Sequence, residues 1–180
     1  YLEGDRHDEQ RILRGVKNRF GATGDVGLLS MAAGGISELA CGARAFISDT
    51  PTGVAGTMIT VTCEGIRPLG VEVQALTNGT QFGLPRRNAS GFDMARLHLL
   101  LAVLEQRAAT RLSNQDVYVN VAGGVRLADP AADLAVALAI ASATRNRPLP
   151  QGTVAFGEIG LAGEVRRASR LEQRLQEAAG

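Results

Sequence analysis

Asp116-Val-Tyr-Val-Asn-Val-Ala-Gly-Gly124, followed shortly by Asp129-Pro130 and a run of Ala, Leu, Ile and Val to about Thr144, decides how this chain folds. Apolar and polar residues alternate from Asp116 to Ala122, the pattern of a half-buried strand, and Gly123-Gly124 ends it. Asp129 is a good N-cap and Pro130 suits a first helical position. The segment behind them is apolar on nearly every side, which predicts a central, buried helix. A strand that feeds a buried helix places the chain in the α/β class.

Reading backwards, two β-branched runs, Gly56 to Glu64 and Leu69 to Leu76, flank Gly65-Ile-Arg-Pro68 and predict an antiparallel pair. Asn78 to Ser90 reads as a polar loop carrying Pro85-Arg86-Arg87. Asp93 should cap a helix to about Thr110, with Met94, Leu97, Leu101 and Leu104 at helical spacing. Reading forwards, a strand is expected over 152–157, an extended stretch over 161–167, and a helix opened by the capping box Ser169-x-x-Glu172.

The first residues differ in texture. Arg11-Ile-Leu-Arg-Gly-Val-Lys17 and Val26-Gly-Leu-Leu-Ser-Met31 read as strands joined by a turn over 20–25. Two strands cannot stand alone in water, so they are expected to belong to a larger sheet that begins upstream. Residues 32–50, rich in Gly, Ala, Ser and Thr, read as a linker, and a second domain is expected over 51–180.

Composition narrows the functions open to such a chain. With 180 residues, 45% hydrophobic and 21% charged, it can bury a core. It lacks the apolar run of a membrane span and the pattern of a signal peptide, which predicts a cytoplasmic protein with no membrane partner. A net charge of +1, from 19 basic and 18 acidic residues, restricts any nucleic-acid surface to a local patch. Cys41, Cys63, His7 and His98 have no zinc-ligand spacing, so no metal is expected, and the thiols should be reduced. His98 lies between Leu97 and Leu99 on a predicted helix, a poor place for a catalytic base. Lys17 is the only lysine, and it follows no G-x-x-x-x-G-K loop, so the chain cannot cradle a nucleotide phosphate in that way and no cofactor is expected in it.

The most specific local signal is Lys17-Asn18-Arg19-Phe20-Gly21. Two cations at i and i+2 on a strand share a face and could reach a phosphate or a carboxylate of a neighbouring subunit. Together with Val71-Glu-Val-Gln-Ala-Leu76, Phe82-Gly-x-Pro-Arg-Arg87, Asn114-Gln-Asp-x-Tyr-Val-Asn-Val-Ala-Gly-Gly-Val125 and Gly157-Glu-Ile-Gly-Leu-x-Gly-Glu-Val-Arg-Arg167, it resembles the bacterial RadA (Sms) family of RecA-like recombination ATPases. The resemblance implies that residues 1–31 close a RecA-like ATPase core. It implies that residues 51–180 form a domain similar to the proteolytic domain of Lon, a two-layer α/β fold of the ribosomal protein S5 domain 2-like kind, with a further strand and helix expected beyond Gly180. Whole members of the family carry ATP with Mg and an N-terminal zinc, form hexameric rings and work with the recombinase RecA on DNA; the motifs that hold the ATP and the zinc are not in this sequence.

The Lon resemblance raises a Ser-Lys peptidase, whose serine would fall at Ala131 within Ala128-Asp-Pro-Ala-Ala-Asp133 and whose lysine would fall at Glu172. Alanine cannot attack a carbonyl, and no lysine follows Lys17 to serve as the base. Arginines remain. Arg67, Arg86, Arg87, Arg126, Arg166, Arg167 and Arg170 predict a surface that tracks phosphates with little sequence preference, on duplex or junction DNA. Aromatic residues make up 4% of the chain, which argues against a stacking platform for single strands. The expected role is a non-proteolytic scaffold that contacts DNA in ATP-dependent branch migration and unwinding; a purely structural oligomerisation collar is the alternative.

Overall fold

A computed structural model describes residues 2–3, 10–15, 17, 19, 26–32, 34–38, 46–47, 53–65, 67–81 and 83–179. Near the start, β1 (Leu2–Glu3), β2 (Gln10–Arg14), β3 (Val26–Ala32) and β4 (Gly35–Glu38) form an antiparallel sheet in that order. Ile12 faces Leu28 across β2 and β3, and both are buried in the same hydrophobic cluster as Phe46 and the second sheet. The strand expected over 11–17 ends at Arg14, which leaves Lys17 outside it. β4 lies within the stretch that reads as a linker, where its four residues are all exposed and carry no hydrophobic alternation. Phe46, 3% exposed, sits in that stretch too and accepts a hydrogen bond from Glu72 N at 2.9 Å. The turn expected over 20–25 lies outside the described residues.

The second sheet contains β5 (Thr57–Glu64), β6 (Arg67–Gly79), β7 (Arg87–Ser90) and β8 (Gln115–Val121), in the order β5-β6-β8-β7. Only the β7-β8 pair is parallel. The expected pair β5-β6 is present, with β6 longer than its apolar run because the register carries it past β5 onto β8. β7 replaces part of the expected loop over 78–90: only Ala89 in it packs against the core, so its sequence Arg-Asn-Ala-Ser looks like a turn.

Strand periodicity divides this sheet into two faces. Val73, Ala75, Val117, Val119 and Val121 are buried beneath the helices. α1 (Met94–Arg107) runs back from β7, and α2 (Asp133–Arg145) follows β8. Asp93 caps α1 as expected, accepting Arg96 N at 2.8 Å. The helix stops before Thr110 because Ala109 takes φ 48° and Thr110 N turns back onto Leu104 O. Gly123 and Gly124 adopt positive φ at the end of β8, which other residues rarely do. Asp129 then accepts Ala131 N at 2.9 Å, and Pro130–Ala132 form one 3-10 turn ahead of α2. Val136 and Ile140 of α2 are fully buried; each such side chain contributes about 1.5–3 kcal/mol.

The strand expected over 152–157 shrinks to one bridge, Val154 to Ile59. β10 (Val165–Arg166) falls within the extended stretch expected over 161–167 and pairs with β9 (Glu158–Ile159), which lies before it, and α3 (Leu171–Ala179) packs on β5 and β6. α3 does not open with Ser169 as a cap: Arg170 takes φ 53° directly before it, and the Ser169 carbonyl is used by Arg174 instead. Among the described residues no helix is long and apolar enough to cross a membrane.

Candidate functional site

Residues Asp129 to Asp133 form the turn that enters α2, and each of its two carboxylates is held by an arginine. Asp129 accepts Arg174 Nη2; Arg174 is 0% exposed and also donates to Val61 O and, at 2.8 Å, to Ser169 O. Ala155 N takes the carbonyl of Ile59 at 2.9 Å, so the two successive outward carbonyls of the β5 edge are both occupied. Asp133, also 0% exposed, accepts Arg96 Nε at 2.5 Å, a second bond from Arg96 Nη2, and Ile159 N at 3.1 Å. Its hydrogen bond, with its charge close by, raises the guanidinium pKa of Arg96. Asp129 thus ties α2 to α3, and Asp133 ties it to α1 and the β9-β10 hairpin.

Ala131 lies between these two pairs, 2% exposed, with its N–H on Asp129 and its carbonyl on Gly157 N at 2.7 Å. A turn meant to attack a substrate would present its side chain and a free N–H to solvent. This one presents neither. Glu172 lies exposed in the first turn of α3. Arg174 and Arg96 are not legible in the sequence, where an arginine within a helix looks like a solvated charge and an aspartate beside Pro130 looks like a cap; only the fold brings Arg174 to Asp129 and Arg96 to Asp133.

The seven arginines expected to form one surface are spread over both ends of the second sheet. Arg67 Nη1 reaches Val26 O at 3.3 Å and joins the two sheets. Arg87 is fastened to the carbonyls of Arg86, Gln115 and Leu112, the last at 2.8 Å. Arg170 donates to Gly65 O. Arg166 pairs with Glu164 at 2.6 Å and Glu158 at 3.4 Å, and the Glu164 pKa is lowered by main-chain hydrogen bonds, its own N–H first, and by Arg166. Arg86, Arg126 and Arg167 are exposed, with no guanidinium hydrogen bond to the described residues.

Four arginines outside that set join Arg86. α1 and α2 run parallel, and their C-terminal ends meet the loop into β8: Arg145 Nη2 lies 3.4 Å from Ala108 O, and Arg87 grips Leu112 O in the same loop. Arg107, Arg111, Arg145 and Arg147 are all exposed there. Cations at helix C-termini offset the helix dipoles, a sufficient reason for Arg107 and Arg145 but not for Arg111 or Arg147. The acids at this end are engaged locally. Asp116 accepts Arg86 N at 2.8 Å and Thr80 Oγ1 at 2.9 Å, and the main-chain bond is the larger cause of its lowered pKa. Glu105 accepts the Ser113 hydroxyl, which lowers its pKa.

Lys17 and Arg19 are exposed; Asn18, Phe20 and Gly21 lie outside the described residues, as does Cys41. Among the described residues no group of three or more His, Cys, Asp and Glu could hold a metal ion.

No family model matches the chain. Curated relatives do, along nearly its whole length. It is 53% identical over 179 residues to "DNA repair protein RadA" of Halalkalibacterium halodurans, covering 99% of this chain and 39% of that one. The proteins of the same name from Bacillus subtilis and Streptococcus pneumoniae are 50% and 49% identical over the same length, covering 39% and 43% of those sequences. The chain therefore spans about two fifths of the length of the relatives it matches.

Proposed function

Since the chain belongs to the RadA family over the stretch it shares with those proteins, we propose that it serves DNA repair and recombination as a non-proteolytic scaffold that holds DNA by phosphate contacts. The observation that carries this reading is the pairing of a sealed α2 turn with an open basic end. Ala131 is buried behind two ion pairs, so the Lon-like architecture expected from the resemblance has no attacking group to offer. Arg86, Arg107, Arg111, Arg145 and Arg147 supply exposed guanidiniums at one end of the sheet, while the acids beside them are already hydrogen-bonded. Guanidinium groups without base-reading partners favour duplex or junction DNA with little sequence preference.

In the intact protein this scaffold would sit beside a RecA-like ATPase core, fuelled by ATP with Mg, in a cytoplasmic homohexameric ring that acts with RecA in branch migration. Lys17 and Arg19, exposed here, would couple the ATP state of one subunit to DNA in its neighbour. Arg126 and Arg167 would extend the DNA path at the other end of the sheet.

Duplex DNA binding by the chain, measured from about 50 to 200 mM salt, tests the reading: affinity should fall steeply as counterions are released. A folded chain that binds no duplex at the low-salt end would leave only the oligomerisation collar, whose sole property is the assembly seen by light scattering.

A further inference from the structure

Of the six asparagines in the chain, Asn78 alone is followed by a glycine. The pair lies at the far end of β6, past the reach of β5, whose first residue Thr57 stands opposite Gln74. Asn78 and Gly79 are both exposed, and the Asn78 carboxamide makes no hydrogen bond among the described residues. Toward β8, Thr80 N donates to Asn114 O at 2.9 Å, and the antiparallel ladder alternates from that bond. Asn78 therefore exchanges its main-chain bonds with Asp116, whereas the Gly79 N–H points away from β8, to the side where β5 has ended. No described residue accepts it, and a Cβ at Gly79 would have nothing within 4 Å.

We infer that Asn78 is a site of spontaneous covalent modification, where the open end of β6 lets the chain convert asparagine to aspartate and isoaspartate opposite Asp116. The main-chain nitrogen after an asparagine lies within reach of the carboxamide carbon; a following side chain and a hydrogen-bonded N–H normally hinder its attack. Neither obstacle stands at Gly79. Its nitrogen bonds to Asn78 Cγ as the Cγ–Nδ2 bond breaks, and Nδ2 leaves as ammonia with the proton from the Gly79 N–H. Water then opens the cyclic imide. Cleavage at Cγ gives the aspartyl chain, and cleavage at the main-chain carbonyl gives the isoaspartyl one, so one water is consumed, one ammonia is released and nothing is oxidised. The new charge lands in a sensitive place. Asp116 Oδ1 accepts Thr80 Oγ1 at 2.9 Å and Arg86 N at 2.8 Å, and like charges directly opposite across a ladder repel. The isoaspartyl form also adds a methylene to the main chain, which shifts Thr80 N from Asn114 O. Either product loosens the hold of Asp116 on Thr80 and Arg86, and with it the position of Arg86 at the basic end. This chemistry holds whatever the chain binds.

Ageing the folded wild-type chain in mildly alkaline buffer, with peptide mapping by mass spectrometry and isoaspartate measured by enzymatic methylation, tests it. The Asn78 peptide should gain the mass difference between NH and O and split into two isomers, while the peptides of Asn88, Asn114, Asn120 and Asn146 stay intact. Gly79→Ala, which the open space and ordinary strand φ at that position tolerate, should abolish the conversion over the same time. Asn78→Asp should lower Tm by about 1–3 °C, and in an Asp116→Asn background that loss should disappear. The inference is overturned if Asn78 stays intact in the folded chain while it converts in the urea-unfolded one, because the strand would then protect it. Conversion of Gly79→Ala as fast as wild type would overturn it as well, and an Asn78→Asp variant that melts with wild type would overturn the effect on Asp116.

Discussion

Replacing Asp129 by Asn removes one charge from the α2 turn and little else, because the amide oxygen can still accept Ala131 N. Arg174 would then be a fully buried guanidinium facing only the carbonyls of Val61 and Ser169. Breaking a buried pair on one side costs about 3–5 kcal/mol, and since the Asp129 side chain is 21% exposed, water can replace part of the lost solvation, so we expect about 3 kcal/mol. Arg174→Met keeps the volume and leaves a carboxylate that water can reach, for a cost of about 2 kcal/mol from the broken hydrogen bonds. The double variant should be less destabilised than the sum of the two by about 1–2 kcal/mol, since each single change strands the partner of the other. At roughly 2–4 °C per kcal/mol for a chain of this size, Asp129→Asn should lower Tm by about 6–12 °C. Urea denaturation of the four proteins measures the cycle. Additive losses, or an Asp129→Asn variant within about 0.5 kcal/mol of wild type, would refute the idea that this pair locks α3 to the turn.

Other expectations follow from individual residues. Thr60 is fully buried and its hydroxyl has no hydrogen-bond partner among the described residues, so Thr60→Val, of nearly the same shape, should raise stability by about 1 kcal/mol in the same urea titration. Gly91 has φ 74°, and an added Cβ would lie 2.6 Å from Val121 Cβ and from Val125 O; Gly91→Ala should lower Tm by at least about 5 °C in a thermal melt. Asp116 has a lowered pKa, so its bonds to Arg86 N and Thr80 stabilise the fold above the usual carboxylate range and are lost as pH falls through it. The Tm gap between wild type and Asp116→Asn should therefore be widest near neutral pH and close below about pH 4.

The parts of the fold that could be read from the sequence are those where periodicity and burial agree. Val117, Val119 and Val121 alternate strictly and are buried; Leu97, Leu101 and Leu104 recur at helical spacing and are buried; Asp93 and Asp129 cap as their neighbours require. The failures have physical causes. β7 is an edge strand whose hydrogen bonds come from β8, so its own residues need little β propensity, and β4 is exposed along its whole length. The expected capping box is replaced by Arg170 at φ 53° directly before α3, with the Ser169 carbonyl accepting Arg174 Nε while the other nitrogens of that guanidinium reach Val61 O and Asp129, long-range partners that local sequence cannot show. At the site, the arginine count was legible but the sorting was not: Arg87 and Arg170 are fastened to main-chain carbonyls, while Arg107, Arg111, Arg145 and Arg147, separated by up to forty positions in sequence, are brought to one end by two parallel helices.

The most direct test of the DNA-scaffold account compares the salt slope of duplex binding for wild type, Arg107→Ala/Arg111→Ala, Arg145→Ala/Arg147→Ala and Arg166→Ala. Each double change at the helix ends should reduce the magnitude of the slope by about 2, one unit for each phosphate that no longer meets a guanidinium. Arg166, already paired with Glu164 and Glu158, should leave the slope unchanged. Wild-type slopes in both helix-end variants, with the protein still folded and bound, would contradict the assignment of DNA to that end of the sheet.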